Sequence, residues 1–163
     1  MKKFKLTSEF IVDISGVKLF RIKALIEFGN VKAGDLGGYI EKEENLSHMG
    51  NAWVSGDAQV SGNARVFGNA WVSGNARVSG DAWIYGDARV SGDKDYAYAH
   101  GFGSCNRTTT FFRLKDGDVG VRCGCFYGTL AQFRDKVCET HGETKKAQEY
   151  LMLADLMEIR FKN

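Results

Sequence analysis

From Gly50 to about Gly92 one six-residue phrase repeats: GNAWVS, GDAQVS, GNARVF, GNAWVS, GNARVS, GDAWIY and GDARVS follow one another without a slip. Each copy reads Gly, Asn or Asp, Ala, a variable residue, Val or Ile, then usually Ser. The alanine and the aliphatic residue lie two apart, so on an extended segment they share one face. The residue between them (Trp53, Gln59, Arg65, Trp71, Arg77, Trp83, Arg89) is expected to face outward. Glycine followed by Asn or Asp suits the left-handed backbone angles of a corner. One copy therefore supplies one short strand and one corner.

A fixed six-residue period is the signature of a parallel β-helix. Its left-handed form places three copies in a coil, so stacked residues lie 18 apart in sequence. The departures from the phrase keep that spacing. Phe67 and Tyr85, which replace the usual serine, are one such pair, and Trp53 and Trp71 are another. Arg65 with Trp83, and Trp71 with Arg89, share it too and are expected to form cation–π pairs. The pattern fades upstream, where Ile40 and Leu46 are read as continuing the alanine column. So short a solenoid needs both ends capped.

The expected organisation is a mainly β chain in three parts. Residues 1–35 form an N-terminal β cap, residues 36–95 the left-handed parallel β-helix, and residues 96–163 a small C-terminal ββαα unit. FIVDISGVKLFRI fits a hairpin turning at Ser15-Gly16, with Asp13 opposite Lys18 and Val12 opposite Leu19. Asp116-Gly117 marks a two-residue hairpin. That register sets Leu114 opposite Val119, Phe112 opposite Val121 and Thr110 opposite Cys123, all on one face. Thr129 and Gln132 form a capping box, Gly142 is a C-terminal stop, and Leu130, Phe133 and Val137 line one helical face. A last helix spans about 145–161. Ala147, Leu151 and Ala154 make one apolar stripe; Met152, Leu156 and Ile159 make another, which is left over for a second subunit.

The 163 residues are 44% hydrophobic and 26% charged, which favours a packed core over disorder. No run approaches the ~20 apolar residues of a membrane span. MKKFKLTSEF lacks the apolar stretch of a signal peptide, so a cytoplasmic location is expected. There Cys105, Cys123, Cys125 and Cys138 are thiols or metal ligands rather than disulfides. A net charge of +2 gives no ground for nucleic-acid binding.

VKAGDLGGYIEKEENLS followed by GNAWVSGDAQVSGNARV resembles the hexapeptide-repeat proteins of phage and prophage genomes, often labelled polymer-forming or acyltransferase-like. The tail GSCNRTTTFFRLKDG, then VRCGCFYGTLAQF, then ETHG is similar to tails carried by many of these proteins. The resemblance covers nearly the whole chain. It implies a left-handed β-helix, a homotrimer, and the cytoplasm of an infected or lysogenic bacterium. Small phage proteins include counter-defence proteins that sequester nucleotide signals.

Three kinds of chemistry are open to these residues. Acyl transfer from coenzyme A would use His48 or His100 as base; the plainer reading makes both cap or surface residues. Cys123, Cys125, Cys138 and His141 would make a zinc site; the plainer reading makes the thiols small core residues, and no metal is assigned. The stretch YAYAHGFGSCNRTTT, residues 96–110, would bind an anion. Gly101 and Gly103 free backbone N–H groups, Ser104, Asn106 and Thr108 add donors, Arg107 grips a phosphate, and Tyr96 and Tyr98 stack on a base. The plainer reading there is a tight linker.

The outward aromatic residues Trp53, Phe67, Trp71, Trp83 and Tyr85 suit an oligomer interface. The reading preferred is a non-enzymatic trimer that needs no cofactor. It binds a small anionic, nucleotide-like ligand through Tyr98, Ser104, Asn106 and Arg107, with Arg122 as a second cation. Neither a membrane nor a nucleic acid is an expected partner. An acyltransferase and a virion-associated spacer are the alternatives.

Overall fold

A computed structural model describes residues 2–103 and 107–162 of the chain. β1 (Phe4–Val12) and β2 (Lys18–Ala24) form an antiparallel hairpin, and β3 (Leu36–Ile40) opens the first coil. Seven two-residue strands follow: β4 (Trp53–Val54), β5 (Gln59–Val60), β6 (Arg65–Val66), β7 (Trp71–Val72), β8 (Arg77–Val78), β9 (Trp83–Ile84) and β10 (Arg89–Val90). They stack in parallel at 18-residue steps, Trp53 on Trp71 on Arg89, Gln59 on Arg77, and Arg65 on Trp83. The result is a β-solenoid with three ladders: β4-β7-β10, β6-β9, and β3-β5-β8, which β2 and then β1 extend antiparallel.

The interior is the two columns read from the repeat. Every alanine from Ala52 to Ala88 and every aliphatic residue from Val54 to Val90 is at most 1% exposed. Each valine contributes about 1.5–3 kcal/mol by burial, while alanine lets the walls close tightly. The corner glycines from Gly50 to Gly86 all have φ between +61° and +71°. Space is short as well: a Cβ on Gly50 would sit 2.5 Å from the Gly68 carbonyl oxygen. At Gly92 the backbone is extended, with φ −163°, and the repeat ends there.

Ile40 and Leu46 are corrected. They pair with Val60 and Val66, so they belong to the aliphatic column and not to the alanine column. The step there is 20 residues instead of 18, because the irregular stretch before Ala52 holds two residues more than the regular phrase.

The inter-coil hydrogen bonds that flank the paired strand residues run one way. Trp53 N–H donates to Ala70 O, Ser55 N–H to Val72 O and Arg65 N–H to Ala82 O. At those flanking positions the solenoid starts with unpaired carbonyls and ends with unpaired N–H groups, and buried orphans of either kind are costly. Donors close the first end. Lys3 Nζ donates to Ala52 O at 2.7 Å and Gly50 O at 3.3 Å, and Asn45 Nδ2 donates to Ala64 O at 2.8 Å and Gly62 O at 3.2 Å. Acceptors close the other. Asp93 accepts from Arg77 N–H, Asp95 from Ser91 N–H, Thr110 Oγ1 from Trp83 N–H and the Tyr127 hydroxyl from Asp87 N–H.

The C-terminal unit is larger than a ββαα motif. β11 (Tyr96–Phe102), β12 (Arg107–Arg113), β13 (Val119–Cys123) and β14 (Phe126–Thr129) make a four-stranded antiparallel sheet, followed by α1 (Leu130–His141) and α2 (Lys145–Arg160). Residues read as a tight linker are thus largely strand. One face of the sheet closes the solenoid, with Phe112 joining the solenoid core. The other face carries the helices, with Phe111, Val121 and Cys123 in a second core.

Both hairpin registers differ by one residue from expectation. Val12 pairs with Lys18, and Ile11 with Leu19, across a five-residue loop held by the Asp13 carboxylate, which accepts from Ser15 and Val17 N–H. In the second hairpin Thr109 pairs with Cys123, Phe111 with Val121 and Arg113 with Val119. There Leu114 N–H donates to Asp118 O, leaving a three-residue loop with Gly117 at φ +92°. A loop of this kind takes its left-handed residue last, and the register moves by one. The slip decides the faces: it sends Phe111 to the helices and Phe112 to the solenoid.

The helices keep their sequence signals. Thr129 and Gln132 form the capping box, and Gly142, at φ +57°, ends α1. Leu130, Phe133 and Val137 are buried. In α2 the buried stripe is Ala147, Tyr150, Ala154 and Met157, with Leu151 half-buried. Met152, Leu156 and Ile159 are 71%, 55% and 72% exposed. Among the described residues no helix is long and apolar enough to cross a membrane.

Candidate functional site

Because 96–102 and 107–113 are strands, the residues expected to share one turn are dealt to opposite faces of a sheet. Tyr98 lies across from Thr110, Thr110 from Arg122, and Arg122 from Tyr127, all on the solenoid face. Arg107 lies on the helix face with Thr109 and Phe111. Ser104 and Asn106, with Cys105, lie outside the described residues. The structure therefore places Tyr98, Arg107 and Arg122 in three different settings.

Arg122 sits among the outward aromatic residues of the solenoid. Its guanidinium lies 4.5 Å from the ring centre of Tyr85, 5.2 Å from that of Phe67 and 5.4 Å from that of Trp83. Its Nε donates to Gly124 O at 3.0 Å. Phe67 packs tilted against Tyr85 at 4.6 Å, and Tyr127 meets Tyr85 edge-on at 4.9 Å. Phe67, Trp83 and Tyr85 thus hold the C-terminal sheet against the solenoid within one chain. Arg65 stands 5.7 Å from the Trp83 ring, as the spacing predicts. Arg89 does otherwise: its Nη1 donates to the Asn69 and Ala88 carbonyls at 2.9 Å each, while Trp71 packs half-buried on the core. Trp53 holds an outward position of the repeat but is covered. It is 2% exposed, under the edge of Phe28 at 5.3 Å, and a Cβ at Gly37 would come within 2.7 Å of its ring.

Arg107 borders a pocket of about 300 Å³ between the sheet and α1. Its guanidinium lies against the Gly124 turn that joins β13 to β14. Lys136, Thr140 and His141 add polar groups from α1, and Cys125 adds a thiol from the turn. Phe126, Phe133 and Tyr150 give an aromatic floor, with Phe133 edge-on to Tyr150 at 5.6 Å. No carboxylate is among the residues lining this pocket. Lys136 pairs with Glu139 at 3.8 Å, a solvent-exposed contact of low value.

Tyr98 borders a wider cleft of about 880 Å³ on the solenoid side of the sheet. Its walls are the tip of the N-terminal hairpin, the β5-β8 face and β11. Sequence reasoning did not find it, because its walls come from three distant segments.

The remaining candidates are placed as follows. Cys123 is buried, accepting from the Thr109 hydroxyl at 3.2 Å and donating to the Tyr150 hydroxyl at 3.6 Å, while Cys125 and Cys138 are exposed. Among the described residues no three His, Cys, Asp or Glu side chains come together as a metal site. His48 is built into the N-terminal cap. It stacks on Phe4 at 4.2 Å, its Nδ1 accepts from Lys3 N–H, and its Nε2 meets Glu43 at 2.7 Å. His100 is exposed and contacts the Thr108 hydroxyl at 2.8 Å.

Compared with known protein families, residues 58–74 and 70–85 are similar to the YdcK beta solenoid repeat. The match lies wholly inside the stacked coils; it takes in Gln59, Ser61, Arg77, Val78 and Ser79 of the wider cleft and no residue of the Arg107 pocket. No curated protein matches the chain.

Proposed function

We propose that this β-solenoid is a non-enzymatic binding protein for a small anionic, nucleotide-like ligand, held in the pocket of Arg107, Lys136 and His141. The observation that carries the reading is the lining itself, two cations and an imidazole over three aromatic rings with no carboxylate among them. Arg107 presents a planar fork of guanidinium donors, the geometry that suits a phosphate, beside the Gly124 turn. Rings beneath a cationic rim suit a base with an attached anion. The C-terminal end of α1 opposes an anion by about 0.3–1 kcal/mol. Charge-assisted hydrogen bonds at about 1.5–3 kcal/mol each outweigh that. The volume lies at the lower end of ligand pockets, about 300–1,000 Å³, which favours a mononucleotide-sized molecule.

The finer features of the reading rest on the sequence. The coils are taken as left-handed, on the six-residue period and the positive-φ corner at each step. The assembly is taken as a homotrimer, with the exposed Met152, Leu156 and Ile159 stripe as one contact. Origin in a phage or prophage, the host cytoplasm, and a counter-defence role by sequestration follow from the resemblance of the repeat and tail.

Native mass spectrometry of the freshly purified protein, with and without added nucleoside monophosphates, tests both ligand and assembly. A trimer that carries or takes up a nucleotide is expected, with at least tenfold weaker uptake in Arg107→Ala/Lys136→Ala. Uptake unchanged in the double variant would remove the site, and a monomer would remove the trimer.

A further inference from the structure

The cleft of about 880 Å³ differs from the Arg107 pocket in its balance of charge. Its charges cancel. Arg77 and Arg160 are cationic, Asp13 and Asp93 anionic, and all four border it. Arg77 is joined to Asp93 by its backbone N–H at 2.7 Å and its Nη2 at 3.4 Å. Arg160 Nη2 donates to the Asp93 and Tyr96 carbonyls at 3.2 Å each. A free anion or cation finds no excess of opposite charge there.

Neutral polar groups dominate the rest. Gln59 stacks below Arg77, and Ser61 stands one coil below Ser79. Adjacent strands of a sheet lie about 4.8 Å apart, so these two pairs form hydrogen-bonding rungs at that interval. The spacing is close to the length of one pyranose unit. The facing wall is β11, where Tyr96 and Tyr98 stand two residues apart on one side of the strand. The Tyr96 hydroxyl donates to Arg77 O at 2.6 Å, and burial raises its pKa, so it stays a neutral hydroxyl. Tyr98 lies across the Gly80 corner and is 40% exposed. Val12 and Ile14 of the hairpin tip, both exposed, roof one end. A ladder of hydroxyl and amide groups opposite two aromatic rings is the combination that holds a sugar: edges hydrogen-bond, and apolar ring faces rest on aromatic surface.

We propose that this cleft binds a neutral oligosaccharide chain lying along the solenoid axis. The site binds and does not hydrolyse. Glycoside cleavage needs one protonated and one ionised carboxyl flanking the bond. Asp13 is committed to its turn, where hydrogen bonds from Val17 N–H and Ser15 hold its carboxyl below the usual range, and Asp93 caps the solenoid.

Saturation-transfer NMR with cellotriose, maltotriose and N-acetylchitotriose tests the proposal on the intact chain. Transfer to at least one of these sugars is expected, at least tenfold reduced in Tyr98→Ala and in Ser79→Trp. Ser79 is exposed, so the second variant fills the cleft from its solvent side; it gives up the hydrogen bond between Ser79 and Tyr96, and its circular dichroism should still match the parent. Arg107→Ala should leave the transfer intact, which separates this site from the anion pocket. No transfer from any of the three, transfer that persists in folded Ser79→Trp, or binding confined to sulfated sugars would overturn it.

Discussion

Lys3 carries an ammonium group into a position that is 1% exposed. Its two contacts are the Ala52 and Gly50 carbonyls, with the Phe28 ring 4.5 Å away. Burial lowers its pKa from 10.5 to about 8. The sign of the linkage follows. Between pH 8 and 10.5 the unfolded chain binds more protons at this residue than the folded one, so stability rises with pH through that window. The limit is about 3 kcal/mol for this single group. A neutral amine keeps two N–H donors, enough for both carbonyls. Thermal unfolding of the parent should gain on Lys3→Met as pH climbs from 8 to 10, and parallel curves would show that Lys3 titrates normally. None of this was legible at MKKF, since nothing in the sequence says which terminal lysine will meet an open coil. Trp53 misled for the same reason. It obeys the outward parity of the repeat, but a segment of the chain far from it in sequence crosses over it.

At the scale of the element, the corner is where the repeat is most exacting. A Cβ on Gly68 would lie 2.9 Å from Gly86 N and 3.3 Å from the Tyr85 ring, at a φ of +71°. Gly117 has a similar φ of +92° but nothing within 4 Å. Gly117→Ala should therefore cost only the backbone term, about 1 kcal/mol. Gly68→Ala adds a clash between coils and should cost at least about 2 kcal/mol more. Chemical denaturation of the two variants measures the difference, and equal losses would mean that coil spacing gives way easily. The solenoid strands, the capping box of α1 and the stop at Gly142 were all legible, because each rests on residues adjacent in sequence. The two hairpin registers were not. Ser15-Gly16 and Asp116-Gly117 announce a turn without fixing how many residues it takes, and one residue decides whether Phe111 or Phe112 meets the helices.

For the whole molecule, the sequence carried the solenoid but dispersed the site. Tyr98 and Arg107 are close in sequence and both suit a ligand, yet strand alternation sends them to opposite faces of the C-terminal sheet. The aromatic residues read as an interface serve in part within the chain, because Arg122 arrives from β13 to lie on them. The cleft belongs to no single segment: the hairpin tip reaches it from the N-terminus, and β11 from beyond the last coil.

That arrangement makes the solenoid a spacer with both a length and a phase. Duplicating residues 68–85 in tandem would add one 18-residue coil of the kind that sets Trp71 over Trp53. The end units would move apart by about 4.8 Å and still face the same side. Inserting six residues would change the phase, turning the hairpin tip and β11 onto different sides of the prism. Both variants should fold with cooperative unfolding, since most contacts of each cap are with the coil at its own end, and the duplication sets a second Tyr85 where Arg122 now meets Phe67. Sugar transfer should survive in weakened form after the first change and vanish after the second, while nucleotide uptake at Arg107 should ignore both. Chains built on this plan are thus free to vary in whole turns, and any cleft shared between their two ends is what holds each change in the count to multiples of three phrases.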